Sequence, residues 1–334
     1  MHKFSIILPV RNGGQYVKYC VQSLLAQTYQ QYNIIILDNN SNDGTVEWLQ
    51  SLQHQKIIIY TSSQSLTIEQ NWARALEVPT NEFITLIGHD DILKPDFLAT
   101  IEQLICLHPN ASLYHTHFNF IKANGSIHRP CKPMNNCIQL HELLTGFLNQ
   151  SIDSMGTGYV MRFLHYQAIA GIPTKYPNLL FADFELWINA TAKGYMVVSP
   201  KTCFAFRVHQ SVTSTTPDYL LHKALIMYVD FLQTLKNNSA VCKNAIDTNA
   251  LQFLLSYVKG FCHRLLRTDF KSRYPLTVKS FVKSTYLLAD KLDIKAVYFP
   301  KKKASIWIAI FIDSNPLTRT LFLWVKKVFK KAIL

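Results

Sequence analysis

The first ninety residues alternate between short apolar runs and stretches in which apolar side chains recur every three or four positions. The runs are rich in β-branched residues and end in turn residues, which is typical of buried strands. The stretches between them have the period of a helix. Strands alternating with helices predict an α/β fold with a mostly parallel sheet. The predicted strands are 4–10, 32–37, 57–60 and 83–87, and the predicted helices are 16–28, 45–52 and 68–76.

Beyond Asp91 the pattern is mixed. An Asn-Gly turn at 124–125 predicts a hairpin after a strand at 113–121. From Asp218 onward the chain is predicted to form helices with basic faces, and we place a domain boundary near residue 215. The other predicted elements are helices at 95–107, 138–150, 159–171 and 181–193 and short strands at 197–198 and 202–208.

Acidic residues stand where two of the predicted strands end. Asp38 closes the second strand, and Asp90 and Asp91 follow the fourth. The carboxyl ends of strands line the ligand crevice of a parallel sheet. The pattern therefore predicts a cation there, together with an anionic ligand carried on it. Because neighbouring buried carboxylates are costly without a partner, Asp90 and Asp91 need either this metal or a hydrogen-bonded polyol.

The net charge of +13 is confined to one part of the chain. Residues 1–215 hold 14 basic and 14 acidic side chains, whereas residues 216–334 hold 20 basic and 7 acidic ones. In the last 34 residues, Trp, Phe and Leu alternate with clusters of Lys, and the apolar runs are shorter than the ~20 residues of a membrane span. This composition predicts either a helix lying on an anionic membrane surface or a helical subdomain with a solvated basic face. It disfavours nucleic-acid binding.

The seven cysteines are odd in number and form no Cys-x-x-Cys pair, so reduced thiols are expected. The chain begins Met-His-Lys and then enters a strand, without the pattern of a signal peptide. Both features predict a cytoplasmic protein.

Several motifs in order resemble family 2 glycosyltransferases, which have the GT-A fold. Residues 5–12 (SIILPVRN) and 34–45 (IIILDNNSNDGT) resemble the first two strands and their loops, and 87–91 (IGHDD) stands in the place of the metal-binding acidic motif. Residues 181–187 (FADFELW) resemble the segment of the catalytic base, and 207–209 (RVH) a late Arg-x-His element. The resemblance covers roughly residues 3–215 and implies a Rossmann-like GT-A domain at 1–215, followed by a helical basic region at 216–334.

The resemblance also implies an activity and its residues. The enzyme would be an inverting, metal-dependent, hexosyltransferase-type glycosyltransferase. It would move a sugar from a nucleotide donor, such as a UDP-sugar, to a glycan or lipid-linked acceptor in surface polysaccharide synthesis, near the inner face of a membrane. Asp183 would be the catalytic base, and Mg²⁺ or Mn²⁺ would be bound by Asp90, Asp91 and His209. The implied donor-binding residues are Pro9, Arg11, Asn12, Asp38, Asn71, Asp90 and Arg207.

Alternatives remain at several positions. Asp43 fits a turn or helix cap better than a ligand, Asn71 fits helix packing equally well, and Asp183 is also placed to cap its helix. Gly88 and Ala182 stand where the family commonly has acids. A non-catalytic sugar-nucleotide-binding scaffold and a sugar nucleotidyltransferase are therefore the alternative functions.

Overall fold

The computed structural model describes residues 3–208, 215–273 and 275–328. They form two compact units, of which one comprises 3–147 with 151–208 and the other 148–150 with 215–328. His209, the predicted third metal ligand, lies outside the described residues.

The first unit is built on one ten-stranded mixed sheet with the order β3-β2-β1-β4-β9-β6-β10-β5, to which β7 adds beside β6 and β8 beside β10. The strands β1 to β4 run parallel to one another, and β6 is parallel to β10, whereas β9 is antiparallel to both of its neighbours. The strands are β1 Phe4–Val10, β2 Tyr32–Asp38, β3 Ile57–Thr61, β4 Phe83–Leu86, β5 Ile92–Leu93, β6 Leu113–Lys122, β7 Ile127–Pro130, β8 Cys137–Ile138, β9 Val160–Arg162 and β10 Met196–Val208.

Helices flank this sheet, as the alternating pattern predicts. In the first of them, Val17, Cys20, Val21 and Leu24 are buried, which is the i, i+3, i+4, i+7 spacing of a helix packed on one face. The helices are α1 Gly14–Leu25, α2 Thr45–Ser51, α3 Ile68–Ala73, α4 Phe97–Leu107, α5 Leu140–Leu148, α6 Phe163–Ala168 and α7 Ala182–Thr191.

Two sequence predictions in this unit are wrong in detail. The helix predicted at 159–171 begins as strand β9, and only Phe163–Ala168 is helical. A short apolar run has no period that separates strand from helix, so the tertiary pairing with β4 decides. The two short strands predicted at 197–198 and 202–208 form the single strand β10, which has register shifts between Ser199 and Phe204.

The second unit is helical, as predicted. A long central helix packs against three others, and a buried ion pair joins Arg273 to Asp313 at 2.6 Å, with both side chains no more than 3% exposed. Among the described helices, none combines the length and apolar character needed to cross a bilayer. The helices are α8 Asp218–Asn238, α9 Ala240–Arg267, α10 Phe270–Arg273, α11 Val278–Lys291, α12 Ala304–Ser314 and α13 Pro316–Val328.

Candidate active site at the carboxyl edge of the sheet

The carboxyl ends of β2, β1 and β4 lie side by side at one edge of the sheet. Asp38, the last residue of β2, pairs with Val10 of β1. On the other side of β1, the N–H of Ile87 donates to the carbonyl of Ile7 at 3.0 Å, and residues 88–91 follow directly. Since neighbouring strands are about 4.8 Å apart, the chain leaving β4 passes roughly 10 Å from Asp38. The acids of two separate strands therefore reach one edge.

Asp38 is fully buried, and one of its carboxylate oxygens is not satisfied. Oδ2 accepts a long hydrogen bond of 3.3 Å from the N–H of Ser41. Oδ1 has no hydrogen-bond partner in the described part of the chain. An unsatisfied buried acceptor costs about 1–3 kcal/mol, so Oδ1 is suited to receive a donor from a ligand.

The loop after β1 is held against the loop after β2. Asn12, with φ +49°, donates its N–H to Ser41 Oγ and accepts from the N–H of Asn42, both at 2.9 Å. Arg11 donates to Ser65 Oγ at 3.0 Å and remains exposed. Two predicted site residues therefore border the end of β2, next to Asp38.

Pro9 and Asn71 lie below this edge rather than on it. Pro9 is a buried residue of β1 that pairs with Leu37. The Asn71 side chain is also buried; it donates to the Leu37 carbonyl at 3.1 Å and accepts from Arg74 at 2.8 Å. Arg74 donates in turn to the Asp38 carbonyl at 2.9 Å. Asn71 thus supports the backbone from which Asp38 projects.

Asp43 serves the turn, as its sequence context favours. Its carboxylate accepts the N–H groups of Gly14 at 3.0 Å and Thr45 at 3.1 Å. Partial burial acts to raise the pKa of Asp43, but hydrogen bonding by the Thr45 side chain and by these N–H groups outweighs it and lowers the pKa below its usual value. The Asp43 carboxylate thus joins the loops after β1 and β2, and each of its oxygens accepts a backbone N–H from one of them.

Asp90 and Asp91 converge on the space beside Gly88. A Cβ added at Gly88 would lie 2.8 Å from Asp90 Oδ1 and 3.2 Å from Asp91 Oδ2. Burial, and then the neighbouring charge of Asp90, raise the pKa of Asp91 well above its usual value. Two carboxylate oxygens in so small a space fit a hard divalent cation, which would take its remaining ligands from water and phosphate oxygens. Within the described ranges, no group of three or more His, Cys, Asp or Glu side chains is arranged to hold a metal.

Exchanging Gly88 for alanine tests whether the space between Gly88 and the two carboxylates is needed to bind a cation. The added Cβ would force at least the Asp90 carboxylate to move, since 2.8 Å is closer than carbon and oxygen normally approach. If Asp90 and Asp91 hold a divalent cation, Gly88→Ala should raise the Mn²⁺ concentration needed for half-maximal activity by about tenfold, the equivalent of roughly 1.4 kcal/mol. Activity titrated with Mn²⁺ checks this, and Gly260→Ala in helix α9 is the control, since a Cβ added there would meet nothing within 4 Å. An unchanged Mn²⁺ requirement would contradict the role of the pair.

Arg207 fixes the Asp90–Asp91 turn. Its backbone N–H donates to Asp91 Oδ1 at 2.8 Å, and its Nε donates to the Asp90 carbonyl at 2.8 Å. The guanidinium also donates to the carbonyls of Lys122 and Ala123, at 3.1 and 3.0 Å. The buried guanidinium of Arg207 thus holds the acidic turn against the end of β6. The predicted contact of Arg207 with the nucleotide-sugar donor stays a prediction.

Thr157 is a residue of this site that the sequence did not predict. Its hydroxyl donates to Asp91 Oδ2 at 2.5 Å and accepts the N–H of Gly88 at 3.1 Å. Two residues earlier, the Met155 carbonyl accepts the indole N–H of Trp187 on α7 at 2.9 Å. Residues 155–157 therefore connect the acidic turn to α7, the helix that carries Asp183.

Asp183 lies in the first turn of α7, which follows Phe181 at φ +69°. Its Oδ1 accepts the N–H of Phe184 at 3.0 Å. Burial raises the pKa of Asp183 to about 6, against the lowering effect of that hydrogen bond. Glu185, two residues on, is bound by Tyr176 and by Lys175 Nζ at 2.9 Å. The pKa of Asp183 is thus raised toward that of a general base, whereas Glu185 has a structural role.

The raised pKa has a consequence for stability. A carboxyl with a pKa of about 6 in the fold and about 3.9 when unfolded destabilises the fold increasingly between pH 4 and 6, and by a constant amount above. We therefore expect Asp183→Asn to raise the free energy of unfolding at neutral pH by at most about 3 kcal/mol, and to bring no gain below pH 4. Thermal unfolding of both proteins across this range checks the difference. A variant that is less stable than the wild type at pH 7 would contradict it.

Comparisons with known proteins find related sequences and a related fold. Residues 5–165 match the model of Glycosyl transferase family 2. An uncharacterised glycosyltransferase of Rickettsia typhi, RT0329, is 29% identical over 290 residues, covering 80% of this chain and 85% of that protein. The glycosyltransferase GlyG of Streptococcus pneumoniae is 24% identical over 137 residues, or 40% of this chain. That match spans 46% of GlyG, so the chain covers about half of this relative's length.

The solved structures agree on the fold. Staphylococcus aureus TarS 1–349, crystallised with UDP-GlcNAc, superposes with a TM-score of 0.68 at 13% identity, over 99% of this chain and 93% of that one. The mixed sheet with flanking helices and the C-terminal helical region are shared, which confirms a fold of the GT-A class as predicted. The match over residues 5–165 confirms the predicted resemblance to Glycosyl transferase family 2.

Proposed function

We propose that the chain is an inverting glycosyltransferase of the hexosyl type, which transfers a sugar from a nucleotide-diphosphate donor to a hydroxyl acceptor. One observation carries the proposal: a single sheet edge holds the unsatisfied carboxylate oxygen of Asp38 and the paired carboxylates of Asp90 and Asp91, and the 155–157 loop connects that edge to the helix of Asp183. Donor, cation and acceptor would meet there.

The donor would be held across the ends of β1 and β2. Asp38 Oδ1 would accept an N–H of the nucleotide base, which replaces the hydrogen bond that the oxygen lacks. Arg11 and Asn12 border this position and would contact the nucleotide. The complex of TarS with UDP-GlcNAc, on a similar fold, supports a UDP-sugar.

Asp90 and Asp91 would hold Mg²⁺ or Mn²⁺, and His209 is the proposed further ligand. When bound, the cation would neutralise charge on the departing diphosphate. The protein's part is to keep Asp91 in place, which Thr157 and the Arg207 N–H do by engaging both of its oxygens. Arg207 adds positive charge beside the turn.

Asp183 would act as the base. With its pKa raised to about 6, its carboxylate is ionised at neutral pH and is a stronger proton acceptor than an ordinary aspartate. It would take the proton of the acceptor hydroxyl as the oxygen attacks the anomeric carbon from the face opposite the diphosphate. One such in-line displacement, without a covalent intermediate, inverts the anomeric configuration.

The acceptor would be a glycan or lipid-linked sugar of bacterial surface polymer synthesis, reached from the cytoplasmic face of the membrane. Support comes from the Bacillus subtilis glycosyltransferase TuaG, which carries a provisional assignment to teichuronic acid biosynthesis. TuaG is 25% identical over 224 residues, covering 63% of this chain and 81% of that protein.

A panel of nucleotide sugars tests the proposal. Each donor is incubated with the full chain, with and without Mn²⁺, and release of the nucleoside diphosphate is followed. The expected result is turnover of one donor that depends on the metal. Tight binding of a donor without turnover of any would contradict the enzyme and identify a sugar-nucleotide-binding scaffold instead.

A further inference from the structure

The last described helix, α13, carries its apolar side chains outward. Five of them recur at positions i, i+4, i+7, i+8 and i+11, and so form one stripe along the helix. They are 40% to 79% exposed, and none of the described residues of α13 is buried. The stripe comprises Leu317, Leu321, Trp324, Val325 and Val328.

On the opposite side of the same helix, one charged residue is turned inward. Arg319, 11% exposed, donates to the Thr268 carbonyl and lies 3.9 Å from Asp313. Asp313 is itself 3% exposed and is bound by Arg273 and by the N–H of Val278 at 2.8 Å. An amphipathic helix on a protein in water normally shows the opposite orientation. Buried hydrogen bonds thus keep the apolar stripe of α13 on the outside.

Helix α12 extends the apolar surface. Trp307, Ile308 and Phe311 are each about half exposed, and the rings of Trp307 and Phe311 are nearly parallel with centroids 6.0 Å apart. Together with the stripe of α13 they form what we call the C-terminal apolar face. Large exposed apolar side chains in this number on two consecutive helices mark a binding site for a protein or a membrane.

Exposed lysines stand at both ends of the segment that forms the C-terminal apolar face. Lys301, Lys302 and Lys303 precede α12, and Lys326 and Lys327 lie in the last turn of α13. A cleft of about 590 Å³ opens beside the start of α12, with Lys259 and Lys303 in its lining. Apolar and aromatic side chains next to basic ones complement a surface that is both apolar and negatively charged.

We propose that the C-terminal apolar face docks the protein on an anionic lipid bilayer, without spanning it. Tryptophan favours the boundary between headgroups and acyl chains, and lysine favours anionic headgroups, so the two residue types suit the same depth. A second copy of the chain is a poorer occupant, because it would bring the same lysines against this face. Membrane docking stands independently of the sugar transfer proposed above.

Vesicle flotation of the full chain tests the docking. The protein is mixed with vesicles of phosphatidylcholine alone or of phosphatidylcholine with phosphatidylglycerol, at low and high salt. We expect about tenfold stronger binding to the anionic vesicles, and release by salt. The double variant Trp307→Ser/Trp324→Ser should weaken this binding by about tenfold or more. Leu164→Ser is the matched control, since Leu164 is a 73% exposed apolar residue of the other unit.

A second variant removes charge instead of apolar area. Lys326→Glu/Lys327→Glu should weaken binding to anionic vesicles and leave binding to neutral ones unchanged. Because all four substituted side chains are exposed, the variants should keep the wild-type unfolding midpoint. Equal binding to both vesicle types, or wild-type binding by both variants, would overturn the proposal. So would light scattering that shows an oligomer lost on Trp307→Ser/Trp324→Ser, which would assign the face to a second copy.

Discussion

Replacing Asp183 by asparagine is expected to lower the rate of sugar transfer by about 10²–10⁴-fold at neutral pH, with donor affinity near that of the wild type. Asparagine has the shape of aspartate and keeps an oxygen to accept the Phe184 N–H, so the first turn of α7 is preserved. What is lost is the carboxylate that we propose takes the proton of the acceptor hydroxyl. Initial rates and donor KM of both proteins give the comparison.

The pH profile gives an independent check on the same residue. Because the pKa of Asp183 is raised to about 6, wild-type activity should fall as the pH drops through 6, where the carboxyl takes up a proton and can no longer act as a base. The residual activity of Asp183→Asn should lack this step. Asp96→Asn is the control, since Asp96 is paired with Lys201 at 2.6 Å and should leave both rate and profile unchanged. Less than a tenfold loss in Asp183→Asn would contradict the base.

The second large effect is expected at Asp91. Asp91→Asn keeps an acceptor for the Arg207 N–H and fills the same space, but removes the charge. If Asp90 and Asp91 hold the cation, several kcal/mol of stabilisation are lost, so we expect a decrease of about 10²–10³-fold and no recovery with added Mn²⁺. Rates measured over a Mn²⁺ series check this.

A carboxylate in the neighbouring loop provides the control for Asp91. Asp43→Asn alters a group that serves the Gly14 and Thr45 N–H groups, so its Mn²⁺ response should match the wild type. An Asp91→Asn variant with wild-type rates, or the same loss in Asp43→Asn, would exclude a specific metal role for Asp91.

The sheet edge was predictable because each of its strands is a continuous apolar run that ends in a polar turn. A buried parallel strand needs apolar residues on both faces, so β1, β2 and β4 stand out from the sequence alone. The topology of such a sheet then brings strand ends together, and this predicted that Asp38 would share an edge with the acids after β4.

Other parts of the site depend on contacts that no local pattern encodes. Thr157 reaches Asp91 across 66 residues of chain, and the Arg207 N–H reaches it across 116. Strand β9 has three residues and no period of its own, and Arg74 holds Asp38 by donating a hydrogen bond to its backbone carbonyl. These contacts form only in the packed fold, where a buried polar group pairs with a partner that is near in space and far along the chain.

Calorimetric titration of UDP into the wild-type chain, with and without Mn²⁺, tests the central claim most directly. If Asp38 and the Asp90–Asp91 pair form one crevice for a cation-bridged nucleoside diphosphate, one molecule of UDP should bind per chain, and at least about tenfold more tightly with Mn²⁺. Absence of binding under both conditions, or an affinity that Mn²⁺ leaves unchanged, would contradict it.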